Sequence, residues 1–139
     1  AITPAAGFVN VVGAILIGLS VSVVCFFAIG VIKPKLGYDD SLDAFGVHGI
    51  GGMWGALMTG VFATKAVNSA GADGLLYGNP KQLFIQLLAV VITIGYTFIM
   101  TAIIFKIVDA VVGMRASQED EVIGLDLSQH HERAYTIFE

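Results

Sequence analysis

Three long stretches of this 139-residue sequence are apolar and nearly free of charge, and they constrain the fold more than any other feature. They run from about Phe8 to Ile32, from about Ala44 to Ala63 and from about Leu83 to Val112, with Lys106 and Asp109 near the end of the third. A helix needs about 20 apolar residues to cross a bilayer. Only 13% of the residues are charged, against roughly 25% in soluble domains. The sequence therefore predicts an all-α membrane protein with three transmembrane helices.

Proline and charged residues mark the expected ends of these helices. Pro34 follows the first stretch, and Lys33 and Lys35 flank it as anchors at the membrane interface. Asp43 precedes the second stretch, where its carboxylate can accept the free N–H groups of the first turn as an N-cap. Pro80 suits the first turn of the third helix, because the N–H that proline lacks has no partner there anyway.

The basic residues predict how the helices are oriented. Three crossings place the loop 33–43 and the C-terminal segment on one side of the membrane. That side holds Lys33, Lys35, Lys106, Arg115 and Arg133, whereas the other holds Lys65 and Lys81. Basic residues are enriched in cytoplasmic loops, so we expect a cytoplasmic C-terminus. No basic face suggests a nucleic-acid partner, and the single cysteine, Cys25, fits a small core residue.

His48 is the candidate functional residue, because no charged residue lies between Asp43 and Lys65. An ionisable side chain in a membrane segment is costly and usually faces a cavity or the bundle interior. His48 has no second His, Cys or Glu at helical spacing for a metal site, and Ser41 lies outside the helix, so nucleophilic catalysis is poorly supported. Two interpretations stay open at this point. The histidine either bonds a neighbouring carbonyl or lines a narrow pore, where a neutral imidazole offers one donor and one acceptor.

Small residues cover much of the second predicted helix. Gly51, Gly55, Thr59 and Ala63 form one stripe, and His48, Gly52, Ala56 and Gly60 form the next. Small residues let helix backbones approach closely in membranes, so this helix is expected inside a bundle. Three helices cannot shield all the small faces, which predicts a larger helical assembly. The sequence begins at Ala1 without a signal-peptide pattern, and we expect it to be part of a longer protein.

Several motifs resemble the ammonium transporters, the Amt/Mep family. The run Asp39-Asp40-Ser41-Leu42-Asp43-Ala44-Phe45-Gly46-Val47-His48-Gly49-Ile50-Gly51-Gly52 is similar to the signature of that family's tenth membrane helix, and Met58–Ala63 continues it. Ile2–Gly7 resembles the end of the eighth helix. Gly113–Arg115, Gly124–Asp126, His130 and Glu132–Tyr135 resemble the cytoplasmic C-terminus.

The resemblance implies helices nine to eleven of an eleven-helix protomer in the plasma or inner membrane. Residues 1–7 would end the preceding membrane helix, residues 8–112 would form the three-helix transmembrane segment, and residues 113–139 would form the cytoplasmic tail. It further implies a multi-pass homotrimer in the lipid bilayer with one pore per subunit. No cofactor and no enzymatic activity are expected.

The resemblance also assigns roles to individual residues. His48 would be the second member of a twin-histidine pair lining the pore, and Asp43 would cap the helix that presents it. Ammonium would lose a proton and pass inward as ammonia. The alternative is an ammonium sensor that uses the same fold and signals through the tail, and a structural bundle in which His48 only packs is a third hypothesis. A PII-type regulatory protein is a possible partner at the cytoplasmic face. His131 stands where the family pattern usually has glycine, and glycine permits a backbone conformation that costs a histidine more free energy.

Overall fold

The computed structural model describes residues 1–133, and these form helices joined by short loops. The part of the tail motif beyond residue 133 lies outside the described residues. Among residues 1–133 the sole extended pairing is an isolated antiparallel bridge between Val9 and Ala63. The chain divides into two compact units, Ala1–Tyr96 and Thr97–Glu139. The helices of residues 1–133 confirm the predicted all-helical fold class.

The first predicted membrane helix is present but extends further than expected. Helix α1 covers Val11–Phe27. It continues into a π-helical segment at Ala28–Ile32, which we call the first π segment, and then into helix α2 at Lys33–Leu36. Together, Val11–Leu36 span 26 residues with a mean hydropathy of 2.8 in their most apolar part, enough to cross a membrane. The Asn10 side chain accepts the Gly13 N–H at 2.9 Å and so caps the helix N-terminus.

The predicted end of this helix at Pro34 is wrong. The helix continues to Leu36 and ends at Gly37, whose φ of +64° is left-handed. Proline lacks an N–H and its ring crowds the carbonyl four residues back. The first π segment widens the turn just before Pro34, since the N–H of Lys33 bonds to the carbonyl of Ala28, five residues earlier. The wider turn lets the helix pass the proline.

The second predicted helix begins with another π-helical segment. Phe45–Ile50, the second π segment, leads directly into helix α3 at Gly51–Phe62. The third predicted helix is α4, which begins at Pro80 as predicted and covers Pro80–Val112. Its 33 residues have a mean hydropathy of 2.4 in their most apolar window, and at 1.5 Å per residue they extend about 50 Å. Among the described helices, Val11–Leu36 and Pro80–Val112 are the two that are long and apolar enough to span a membrane.

Glycines permit the close helix contacts of the first unit. A Cβ at Gly51 would lie 3.2 Å from the Cys25 sulfur of α1, and one at Gly60 would lie 2.8 Å from Leu83 Cα of α4. The predicted stripe of small residues on α3 is buried: Gly51, Gly55, Thr59 and Ala63. Trp54 Nε1 donates to Ser20 Oγ at 2.9 Å and adds a polar contact between α3 and α1. The glycine-rich sequence is thus used for packing, as predicted.

The loop between α3 and α4 folds back over the start of α1. Thr64 N–H donates to the Phe8 carbonyl at 2.9 Å, and Asn10 Nδ2 donates to the Tyr77 hydroxyl at 3.0 Å. Inside the loop, the Asp73 carboxylate accepts the Lys65 N–H at 2.8 Å. A short 3₁₀ turn at Leu75–Tyr77 then leads to Pro80. The bonds of Thr64 and Lys65 thus provide partners for backbone N–H groups just after the end of α3.

The second unit contains two short helices after the end of α4. Helix α5 covers Gln118–Ile123 and α6 covers Leu125–Ser128. The Ser117 hydroxyl accepts the Asp120 N–H at 3.1 Å and caps α5. Beyond α6, His131 has a φ of +55°, so the suspected glycine-like backbone conformation is present at that residue.

Candidate functional site

His48 lies in the second π segment, on a side of the helix that is exposed within this chain. π-Helical turns are rare and are frequently found at functional sites. Among residues 1–133, no hydrogen bond or ion pair is made by its imidazole ring. The interpretation in which His48 bonds a neighbouring carbonyl therefore finds no such carbonyl in the described part of the chain. Both ring nitrogens are available to a solute or to another helix.

The helix face below His48 borders an apolar cavity. Gly52 and Ala56 follow His48 at four-residue spacing on the same stripe and line a space of about 180 Å³ between α3 and α4. The remaining lining residues are Met53, Ala89, Val90, Thr93 and Ile94. Thr93 is the sole polar side chain in this set. Gly52 and Ala56 of the stripe that begins at His48 thus face open apolar space, whereas Gly60 at its end is packed against α4, and the neighbouring stripe is buried.

Two aspartates divide the capping role that the sequence predicted for Asp43. The N–H groups of Phe45 and Gly46 donate to Asp40 Oδ2, at 3.0 and 3.2 Å. Asp43 lies directly before the helix, as predicted, and its carbonyl accepts the Val47 N–H at 2.9 Å. Its carboxylate instead binds Lys33 Nζ at 2.5 Å. The carboxylate that caps the helix of His48 is therefore that of Asp40.

The loop conformation explains this division. Asp43 has a left-handed φ of +54°, which Asp and Asn tolerate better than most residues. This turn brings the loop back, so that Asp40 reaches the start of the second π segment. Lys33 Nζ also donates to the Asp40 carbonyl at 2.6 Å. Sequence reasoning assigned Lys33 only to the membrane interface and gave no role to Asp40, although Asp40 stands five residues before Phe45.

The two π segments contact each other beside His48. A Cβ at Gly46 would lie 2.5 Å from Ile29 Cγ1, so the second segment approaches the first through a glycine. The Cys25 thiol lies 3.8 Å from the Val47 carbonyl oxygen, within reach of a weak S–H hydrogen bond. The Phe45 ring packs edge-on against Tyr38, with 5.8 Å between centroids. The backbone directly before His48 is thus held by contacts at Phe45, Gly46 and Val47.

The sequence profile of the Ammonium Transporter Family matches residues 1–135. An ammonium transporter of Bacillus subtilis is 53% identical over 135 residues, which are 97% of this chain and 33% of that protein. Ammonium transporter Amt1 of Archaeoglobus fulgidus is 55% identical over 98% of this chain and 34% of that protein. The crystal structure of Saccharomyces cerevisiae Mep2 superimposes with a TM-score of 0.75 at 34% identity, over 85% of this chain and 28% of Mep2. The chain spans about a third of the length of the curated relatives it matches.

Proposed function

The chain belongs to the ammonium transporter family, and on this premise we propose that it supplies part of a pore that carries ammonium or ammonia across a membrane. The relatives from Bacillus subtilis and Archaeoglobus fulgidus are named ammonium transporters. The observation that carries the proposal is the position of His48. Its helix is capped and packed, yet its imidazole is exposed and has no partner among residues 1–133. Gly52 and Ala56, which follow His48 by four and eight residues, line an apolar cavity.

The chemistry of the site favours ammonia over a charged solute. A cation in an apolar passage loses its hydration at a cost of several kcal/mol. A neutral imidazole can accept an N–H of ammonia at one ring nitrogen and donate from the other. In the proposed mechanism, ammonium transfers one proton to water outside the apolar passage, and the resulting ammonia passes His48. His48 then replaces water as a hydrogen-bond partner for the neutral molecule.

The assembly and its orientation belong to the same proposal. We infer a homotrimer in the plasma or inner membrane with residues 113–139 on the cytoplasmic face. The distribution of Lys and Arg supports this orientation. Regulation by a PII-type protein at that face stays a prediction. The orientation can be tested with a cysteine introduced after Arg115 and a thiol reagent that does not cross the membrane. In sealed vesicles whose outer face is the extracellular face, labelling of this cysteine from outside would contradict the proposal.

A chimera tests the function directly. In this chimera, a complete relative has its matching third replaced by this chain. We expect proteoliposomes with the chimera to take up ammonium well above empty liposomes, with little uptake of K⁺. An inserted, folded chimera without ammonium uptake would contradict the proposal. A chimera that binds ammonium but does not conduct it would favour the sensor alternative.

A further inference from the structure

The second π segment is held by a network of three charged residues from outside it. Asp40 Oδ2 accepts two N–H groups of its first turn, from Phe45 and Gly46. Both belong to the turn that carries His48, which follows Gly46 by two residues. The Asp40 carboxylate therefore holds the backbone two to three residues before His48.

Lys33 closes this network from the neighbouring helix. Its ammonium group donates to the Asp40 carbonyl at 2.6 Å and to the Asp43 carboxylate at 2.5 Å. The Lys33 and Asp43 side chains are 24% and 36% exposed, so water reaches the pair only in part. Lys33 is the first residue of α2, directly after the first π segment. The Lys33 ammonium group thus links the end of the helix Val11–Leu36 to two aspartates. These are Asp40, whose carboxylate caps the second π segment, and Asp43, which lies just before that segment.

A simple interfacial role for Lys33 does not account for these contacts. A lysine that anchors a helix at the interface extends its ammonium group into water or toward headgroups. Here the group turns into the loop and meets two oxygens of the same chain. The matched residue Lys35 is exposed and makes no side-chain hydrogen bond or ion pair within residues 1–133. Lys33 and Lys35 both lie next to Pro34 in the sequence, but only Lys33 bonds to the loop before the second π segment among residues 1–133.

We propose that Lys33, Asp40 and Asp43 are positioning residues that set the orientation of His48 toward the permeating molecule. The inference rests on the proposed function, because it requires His48 to face the pore. It adds residues outside the pore that act on selectivity through His48. A negative carboxylate at a helix N-terminus is favoured by the helix dipole. The Asp40 carboxylate therefore both bonds and electrostatically stabilises the first turn of the segment.

The test measures selectivity per molecule of chimera in proteoliposomes. The substitutions are Asp40→Ala, Asp40→Asn and Lys33→Met, with Asp39→Asn and Lys35→Met as matched controls, since Asp39 is exposed and makes no side-chain hydrogen bond among residues 1–133. The readout is the ratio of ammonium flux to flux of methylammonium, which is larger by one methyl group. We expect Asp40→Ala and Lys33→Met to change this ratio by roughly tenfold. Asp40→Asn, which keeps an acceptor oxygen, is expected to change it less, and the controls are expected to leave it unchanged.

A double-substitution experiment separates positioning from general destabilisation. If Asp40 acts through His48, then Asp40→Asn changes the flux ratio in the parent chimera and has no further effect when His48→Ala is already present. An equal effect in both backgrounds would overturn the inference, as would an unchanged ratio in correctly inserted Asp40→Asn and Lys33→Met variants. If His48→Ala alone leaves flux and ratio unchanged, the proposed function fails first. The two failures are therefore distinguishable.

Discussion

Trp54 donates its indole N–H to Ser20 Oγ over 2.9 Å, and the same hydroxyl donates to the Ile17 carbonyl of its own helix at 3.1 Å. The serine therefore acts as acceptor and donor at once, at a partly buried contact between α3 and α1. Removing the hydroxyl leaves the indole N–H without its partner in apolar surroundings. We expect Ser20→Ala to lower the free energy of unfolding of the chimera in detergent by about 1 kcal/mol.

Ser22 supplies the matched control for Ser20. Its hydroxyl donates only to the Gly18 carbonyl one turn earlier in α1, at 3.1 Å. Such local bonds add little to helix stability, so Ser22→Ala is expected to leave the unfolding free energy nearly unchanged. Equal losses for Ser20→Ala and Ser22→Ala would show that the interhelical bond contributes nothing.

Gly60 allows α3 to approach the backbone of α4. A Cβ there would lie 2.8 Å from Leu83 Cα and 3.3 Å from the Gln82 carbonyl oxygen. Backbone atoms cannot move aside as a flexible side chain can, so the helices must separate. We expect Gly60→Ala to destabilise the chimera by about 1–3 kcal/mol, the usual cost of overpacking. The measurement is unfolding in detergent. Gly95→Ala on α4 is the control, since a Cβ there meets no atom within 4 Å, and a similar loss in both variants would contradict the explanation.

His131 has a left-handed backbone, with a φ of +55°. This conformation costs an ordinary L-residue about 1–2 kcal/mol, which glycine would not incur. The larger conformational entropy of glycine in the unfolded state offsets part of this stabilisation. We therefore expect His131→Gly to stabilise the turn after α6 by about 0.5–1 kcal/mol. Exchange of the Glu132 amide, which donates to the Asp126 carbonyl at 2.9 Å, should slow by about two- to fivefold after correction for intrinsic rates.

His130→Gly is the control for this turn. His130 is not among the described residues with a positive φ, so glycine relieves no strain there and only adds unfolded-state entropy. The Glu132 amide should then exchange as fast as in the parent or faster. Slower exchange in both variants would mean that glycine acts by some route other than the left-handed backbone of His131.

Of the three predicted membrane helices, the first and third are present as Val11–Leu36 and Pro80–Val112, the two described helices that are long and apolar enough to cross a membrane, because apolar length is the main signal for a membrane span. Pro80 marked the start of α4 correctly, since a proline in the first turn loses no hydrogen bond. Pro34 marked a false end, because the choice between a four-residue and a five-residue hydrogen bond depends on the local backbone and leaves no signature in residue type. The π segment around His48 escaped prediction for the same reason.

The capping residue of the His48 helix shows a second limit. Rules for N-caps consider the residue directly before a helix, which is Asp43. The left-handed turn at Asp43 and the contacts of Lys33 fold the loop so that the more distant Asp40 takes this role. This arrangement depends on tertiary contacts between α2 and the loop. Spacing along the sequence indicated that carboxylates were near the helix, and could not say which of them would reach it.

The most direct test of the central claim is the ammonium flux and selectivity of the chimera with His48→Ala, at equal amounts of inserted protein. Because the imidazole of His48 is exposed and makes no side-chain hydrogen bond or ion pair among residues 1–133, and because we propose that it lines the pore, its loss should change flux by at least tenfold or admit K⁺ or methylammonium. His130→Ala, in the second unit, serves as the control and should leave both unchanged. Flux and selectivity in His48→Ala equal to those of the parent chimera would contradict the assignment of His48 to the pore.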